Sequence, residues 1–138
     1  KAIQLVFSYL LRSYRDNKDL HAKERMHNAS CVAGMAFTNA FLGINHSLAH
    51  KLGGRFHLAH GRANAILLPH VIKYNASIPS KFNPFPKYEH YTAAKKYASV
   101  ARQLGIPAVT DEEGVFSLIF AVRDLAQSLG IPKNLING

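Results

Sequence analysis

The chain has 138 residues, 48% of them hydrophobic, which suits one domain with a real core and excludes a disordered chain. Its 17 Lys and Arg against 8 Asp and Glu give a formal charge of +9, yet the cations are scattered from Lys1 to Lys133 and only Lys95 and Lys96 are adjacent. Without a basic stripe, interleaved aromatics or a nucleic-acid motif, the charge reads as a solvated basic surface, and no nucleic acid is expected as a partner.

In chain order, residues 1–14 carry Ile3, Val6, Phe7, Leu10 and Leu11 at a helical period. The polar run 15–19 breaks that helix, and a second helix is expected from about 21 to 39. It contains the single cysteine, Cys31, which cannot form an internal disulfide and reads as a buried small side chain, in keeping with a reducing cytoplasm. Gly43 interrupts before a helix that holds His46, and Gly53-Gly54 are expected to cap its end. Residues 62–74 are helical again, with Pro69 expected to kink that helix or end its first half at Leu68. Residues 75–89, with Pro79, Pro84 and Pro86, read as a loop. A helix over 91–104 is stopped by Gly105 and Pro107. Thr110 and Glu113 form a capping-box pattern that opens a last helix closed by Gly130 and Pro132. No segment alternates like a strand, so the fold class is all-α. No apolar stretch is long and charge-free enough to span a bilayer, and the first residues are not a signal peptide, so no membrane is expected.

The chemistry is concentrated in the run GMAFTNAFLGINHSLAHKLGGRFHLAHGRANAILLPHVIKYN, residues 34–75. His46 and His50 are an i, i+4 pair whose rings share one side of a helix, and His60 follows, beside Gly61. Neutral imidazole is a ready metal ligand and titrates near neutral pH. The glutamate of H-E-x-x-H is missing, since Ser47 follows His46, which excludes a zinc-protease site. Spacing leaves two readings open: a metal site, or satisfied core and surface histidines. His21, His27 and His90 sit among polar residues and read as solvated. His57 and His70 lie near the run but have no partner at a telling spacing. Two imidazoles supply half of a cation's usual four ligands. No acidic residue lies near His46, and neither a G-x-G-x-x-G nor a P-loop is present.

The same run resembles the metal-binding helical domain of the iron-dependent (group III) alcohol dehydrogenases. It follows the pattern G-M-A-F-x-N-A-x-L-G-x-x-H-x-x-A-H-x-L-G, then H-G-x-A-N-A and L-L-P-H-V-x-x-Y-N. The segment AKERMHNAS before it, and FPKY, KKYASVA and LGIP after it, resemble the alcohol dehydrogenase half of bifunctional aldehyde–alcohol dehydrogenases. The resemblance covers nearly the whole chain. It implies the helical C-terminal domain of a dehydroquinate synthase-like fold, over residues 1–138, without the α/β nucleotide-binding domain and truncated at both ends.

By position, His46 and His60 resemble two of the family's three metal-ligating histidines. His50 resembles the histidine that passes the alcohol proton onward, and Phe37 an aromatic that packs near the nicotinamide. The family's D-x3-H ligands have no counterpart: Leu20 and Lys23 stand four residues after Asp16 and Asp19. Asn45, Ala59 and Arg62 depart from the pattern, and Arg62 beside His60 puts local charge and metal affinity in question. The resemblance implies Fe(II), with Zn as an alternative, and NAD(H) in a parent enzyme. That enzyme reversibly reduces a short aldehyde such as acetaldehyde to its alcohol, and assembles as a homo-oligomer or filament. The chain alone is expected to be inactive. The competing reading is a helical interaction or assembly module of the same parent.

Overall fold

The computed structural model describes residues 1–78 and 91–134, and the described residues form six helices and no strand. These are α1 (Ala2–Arg15), α2 (Leu20–Ala40), α3 (Ile44–Phe56), α4 (His60–Ala76), α5 (Ala93–Gln103) and α6 (Asp111–Ser128). The all-α expectation holds. The expected loop falls mostly on residues 79–90 and, like His90, lies there outside the described residues.

The chain divides into two compact units, Lys1–Ile66 together with Leu125–Gly138, and Leu67–Asp124. In the first, α1 packs on α2. The turn between them is held by short-range polar bonds. The Asp16 carboxylate accepts from the Lys18 N–H at 2.8 Å, and Asp19 caps α2 by accepting from the Ala22 N–H at 2.9 Å. Arg12 Nη2 closes the turn with an ion pair to Asp19 Oδ2 at 2.9 Å. The buried hydrophobic residues of this unit are Ala22, Ala29, Ala49, Ala63 and Ile66. Cys31 is exposed, which corrects the buried reading. Its stretch of α2 is largely uncovered, with Ser30, Ala33 and Met35 also exposed.

One local expectation fails for an identifiable reason, and one of two alternatives at Pro69 is removed. Helix α3 runs through Gly53-Gly54 to Phe56, and the left-handed cap is His57 (φ 54°, ψ 32°). The chain folds back so closely that a Cβ on Gly53 would stand 3.2 Å from the Leu58 carbonyl oxygen. Gly53 therefore serves the close approach of the chain leaving the helix, and the stop comes later. Helix α4 does not end at Leu68 but continues through Pro69, which is buried within it. Proline lacks the N–H that would bond the carbonyl of Ala65, so the helix runs on without that one bond.

The second unit has a branched aliphatic core of Ile72, Val115, Leu118 and Ile119 with Ala101. Gly114 sets the approach of α6 to α5: a Cβ there would meet Ala98 Cα and Cβ at 2.7 Å. The expected capping box opens α6, displaced by one residue on its return bond. Thr110 Oγ1 accepts from the Glu113 N–H at 3.0 Å, and Glu113 Oε2 accepts from the Val109 N–H at 2.6 Å. Asp111, Glu112 and Glu113 fill the first turn, where carboxylates oppose the positive end of the helix dipole. Arg102 completes the junction through the Ala108 carbonyl and Asp111.

Candidate metal centre

Three histidines of the first unit meet. His46 and His50 project from α3, one turn apart, and His60 is the first residue of α4. The His60 ring centroid lies 5.3 Å from that of His46 and 4.9 Å from that of His50, with interplanar angles of 51° and 45°. His60 is thus the common neighbour. His46 is half-buried, while His50 and His60 are exposed. Rings so close and so open gain little from burial, and their proximity has to be held by the chain on either side.

That hold is visible. Asn45, next to His46, donates from Nδ2 to Asn64 Oδ1 at 2.7 Å and to the Asn64 carbonyl at 3.3 Å, joining α3 to α4. Asn64, one turn after His60, places its Nδ2 3.0 Å from the His60 carbonyl and 3.1 Å from His60 Nε2. Ala49 and Ala63, on the same two helices, are fully buried. The sequence reading noted Asn45 only as a departure from a pattern and passed over Asn64. The legible signal was the i, i+4 spacing of His60 and Asn64.

The other residues singled out stand apart from this cluster. Phe37 lies on α2, 48% exposed, with no ring contact to the three imidazoles among the described residues. Arg62, His57 and His70 are exposed. His27 is solvated as expected, and His21 is exposed but meets Tyr9 edge-on, centroids 5.5 Å apart. A cavity of about 560 Å³ in the second unit is lined by Ile106, Pro107, Phe116 and Phe120, with no histidine or carboxylate, so it offers no comparable chemistry.

The donor set fits one cation in part. Imidazole nitrogens bond Zn²⁺ at about 2.0–2.1 Å, so two rings on one ion have centroids roughly 4.5–5.5 Å apart. The His46–His60 and His50–His60 separations both satisfy this, and centroid distance alone does not select between them. Among the described residues no group of three His, Cys, Asp or Glu is placed to hold a metal ion. A two-imidazole half-shell with room for further ligands is what these residues build.

Comparison with known proteins shows the family of the chain. Residues 1–137 match the family described as Fe-containing alcohol dehydrogenase, C-terminal. The chain is 56% identical over 134 residues to an aldehyde-alcohol dehydrogenase of Streptococcus pneumoniae serotype 4, covering 97% of this chain and 15% of that protein. It is 44% identical over 135 residues to an NADPH-dependent butanol dehydrogenase of Clostridium saccharobutylicum, covering 98% of this chain and 31% of that one. Among solved structures, an alcohol dehydrogenase from Oenococcus oeni superposes with a TM-score of 0.81 at 31% identity, over 96% of this chain and 32% of its own. The chain therefore spans between about a seventh and a third of the length of these relatives.

Proposed function

Because the chain belongs to the Fe-containing alcohol dehydrogenase family, in its C-terminal part, we propose that it is the metal-holding helical portion of an alcohol dehydrogenase. The whole enzyme reversibly reduces a short aldehyde, acetaldehyde in the first instance, to its alcohol with NADH. The observation that carries this reading is the meeting of His46, His50 and His60 from α3 and α4. His46 and His60 hold Fe(II), or Zn(II) in its place. When bound, the cation supplies Lewis-acid polarisation of a carbonyl oxygen. His50, exposed beside His60, supplies the proton that completes the alcohol at the oxygen of the reduced carbonyl, directly or through water, and takes it back in the reverse direction. Phe37 contributes an aromatic face near the nicotinamide.

The aldehyde-alcohol dehydrogenase relatives support an aldehyde and its alcohol as the substrate pair, and the relative named an NADPH-dependent butanol dehydrogenase marks NADPH as the rival cofactor and a four-carbon alcohol as the rival substrate. The chain has no dinucleotide fingerprint and no third ligand among the described residues, so alone it turns over no NADH. We place the enzyme in the cytoplasm, in keeping with the one cysteine of this chain, which has no intrachain partner. No helix among the described residues is long and apolar enough to cross a membrane. A second role is favoured by exposed Phe41, Leu42, Ile44, Leu48 and Phe56 on and beside α3. This apolar surface suits packing against another part of the enzyme or a second copy in an oligomer or filament.

Anaerobic titration with Fe(II) and Zn(II) tests the ligand assignment. His46→Ala and His60→Ala are expected to abolish binding, and His50→Ala to leave it within about threefold, a factor worth roughly 0.65 kcal/mol. Loss with His50→Ala and retention with His46→Ala would exchange the two roles. Undiminished binding in both the His46→Ala and His60→Ala variants would refute the site.

A further inference from the structure

The amides around His60 have only one consistent orientation. Asn64 Nδ2 lies 3.0 Å from the His60 carbonyl oxygen, and Asn45 Nδ2 lies 3.3 Å from the Asn64 carbonyl oxygen. A backbone carbonyl only accepts, so the amide atom facing each one has to be the nitrogen. The remaining bond agrees: Asn45 Nδ2 donates to Asn64 Oδ1 at 2.7 Å, a pairing that fails if either amide alone is turned over. Asn64 therefore presents an N–H to His60 Nε2 at 3.1 Å. A neutral imidazole carries its proton on one nitrogen and a lone pair on the other. With Nε2 facing a donor, this network favours the tautomer that has its lone pair on Nε2 and its proton on Nδ1.

Satisfaction of the side chains alone does not select this arrangement. Asn45 Oδ1 is buried with no hydrogen-bond partner among the described residues, which carries a net cost. Free histidine also favours the opposite tautomer, with its proton on Nε2. The tautomer that the amides favour at His60 is therefore the one that free histidine disfavours.

We propose that Asn45 and Asn64 are positioning residues that hold His60 with its lone pair on Nε2, and so decide the atom through which it binds a divalent cation. The cation takes the place of the Asn64 N–H at Nε2. Asn64 keeps its bond to the His60 carbonyl, so its amide is not left unpaired when it yields, and Nδ1 keeps its proton. The amide lock stands independently of the cation. The choice of ligating atom rests on the reading of His60 as a metal ligand.

The test is nitrogen NMR of the chain labelled with ¹⁵N-histidine, metal-free, at about pH 8.5, roughly two units above the ordinary imidazole value. His60 is expected to carry its proton on Nδ1. In Asn64→Ala, and to a smaller extent in Asn45→Ala, the proton moves to Nε2 while helix content by circular dichroism stays the same, a change that a purely structural role would not produce. A proton on Nε2 in the unaltered chain overturns the proposal, as does an unchanged tautomer in both variants. Addition of Zn(II) to the unaltered chain is expected to shift the Nε2 signal and leave the Nδ1 proton in place. Coordination through Nδ1 overturns the assignment of the ligating atom. A chain that shows the tautomer switch but binds no Zn(II) supports the amide lock and refutes the metal reading of His60.

Discussion

The two units bury different things. The unit Leu67–Asp124 encloses Ile72, Val115, Leu118 and Ile119, all less than a tenth exposed. In the unit that holds the histidines, four of the five buried hydrophobic residues are alanines, and Phe41, Ile44, Leu48 and Phe56 stand 40% or more exposed. Both units expose large apolar side chains, Phe116 and Phe120 in the second among them, but the second alone encloses a cluster of branched ones, while the histidine-bearing unit buries only Ile66 of that kind among the described residues. Apolar area removed from water drives folding at about 25 cal/mol per Å². Beside the histidines α3 and α4 bury the small side chains Ala49 and Ala63, with Ile66 one turn on, which forgoes much of that gain but brings polar side chains from two helices within reach of one another.

The largest expected effect sharpens that contrast through a matched pair of leucines. Leu118→Ala empties a site 4% exposed and is expected to cost about 2–5 kcal/mol in denaturant unfolding. Leu48→Ala removes the same atoms from a position 40% exposed and is expected to stay within about 0.5 kcal/mol. Equal losses would mean that α3 is packed far better than its exposure says, and the contrast would collapse.

A smaller effect probes how tightly the second unit is built. Gly114→Ala adds one methyl where Ala98 Cα and Cβ already stand 2.7 Å away and Ala108 Cβ 3.0 Å away. Helices α5 and α6 would have to separate, at a cost of about 1–3 kcal/mol. The same change at Gly54, where a Cβ meets nothing within 4 Å, is expected to stabilise α3 by up to about 1 kcal/mol through helix propensity. Thermal unfolding of the two variants side by side decides it. A neutral Gly114→Ala would show that the helices have slack.

What was legible in the sequence follows the same division. Helix positions came from apolar periodicity, which works for α1, α5 and α6 because each has one face to bury. The capping box at Thr110 and the stop at Gly105, which has φ +70°, were readable because they act within a few residues. Gly53-Gly54 misled, because the reason for Gly53 is the carbonyl of Leu58 folding back over it, a contact that spacing does not show. Cys31 misled because burial was inferred from small neighbours, whereas that stretch of α2 has little packed on it. The histidines were legible as residues of interest, but not as a cluster centred on His60. That depends on the rotation of α4 relative to α3, fixed by the amide pair of Asn45 and Asn64, and no local pattern encodes a bond between residues 19 apart.

The mildest prediction concerns the α1–α2 turn, where the histidine-bearing unit is held by charge and not by apolar burial. The Asp19 carboxyl is pulled below its ordinary 3.8, first by the Ala22 N–H it accepts from and then by the hydrogen bond and charge of Arg12 with the charge of His21; desolvation opposes the shift. A carboxyl whose pKa is depressed in the folded state contributes stability above its unfolded value. That contribution is lost as the pH falls from about 3.8 through the lower folded value. The acid limb of the unfolding curve of this unit should therefore steepen below 3.8. Asn at the same position still offers an oxygen to the Ala22 N–H but carries no proton to gain, so Asp19→Asn is expected to flatten that limb and leave the start of α2 in place. Because Arg12 is exposed and Asp19 only partly covered, added salt should weaken the Arg12 contribution and leave the cap. Circular dichroism against pH, with and without salt, separates the two. An acid limb identical in Asp19→Asn and the unaltered chain would assign the acid sensitivity to another carboxylate.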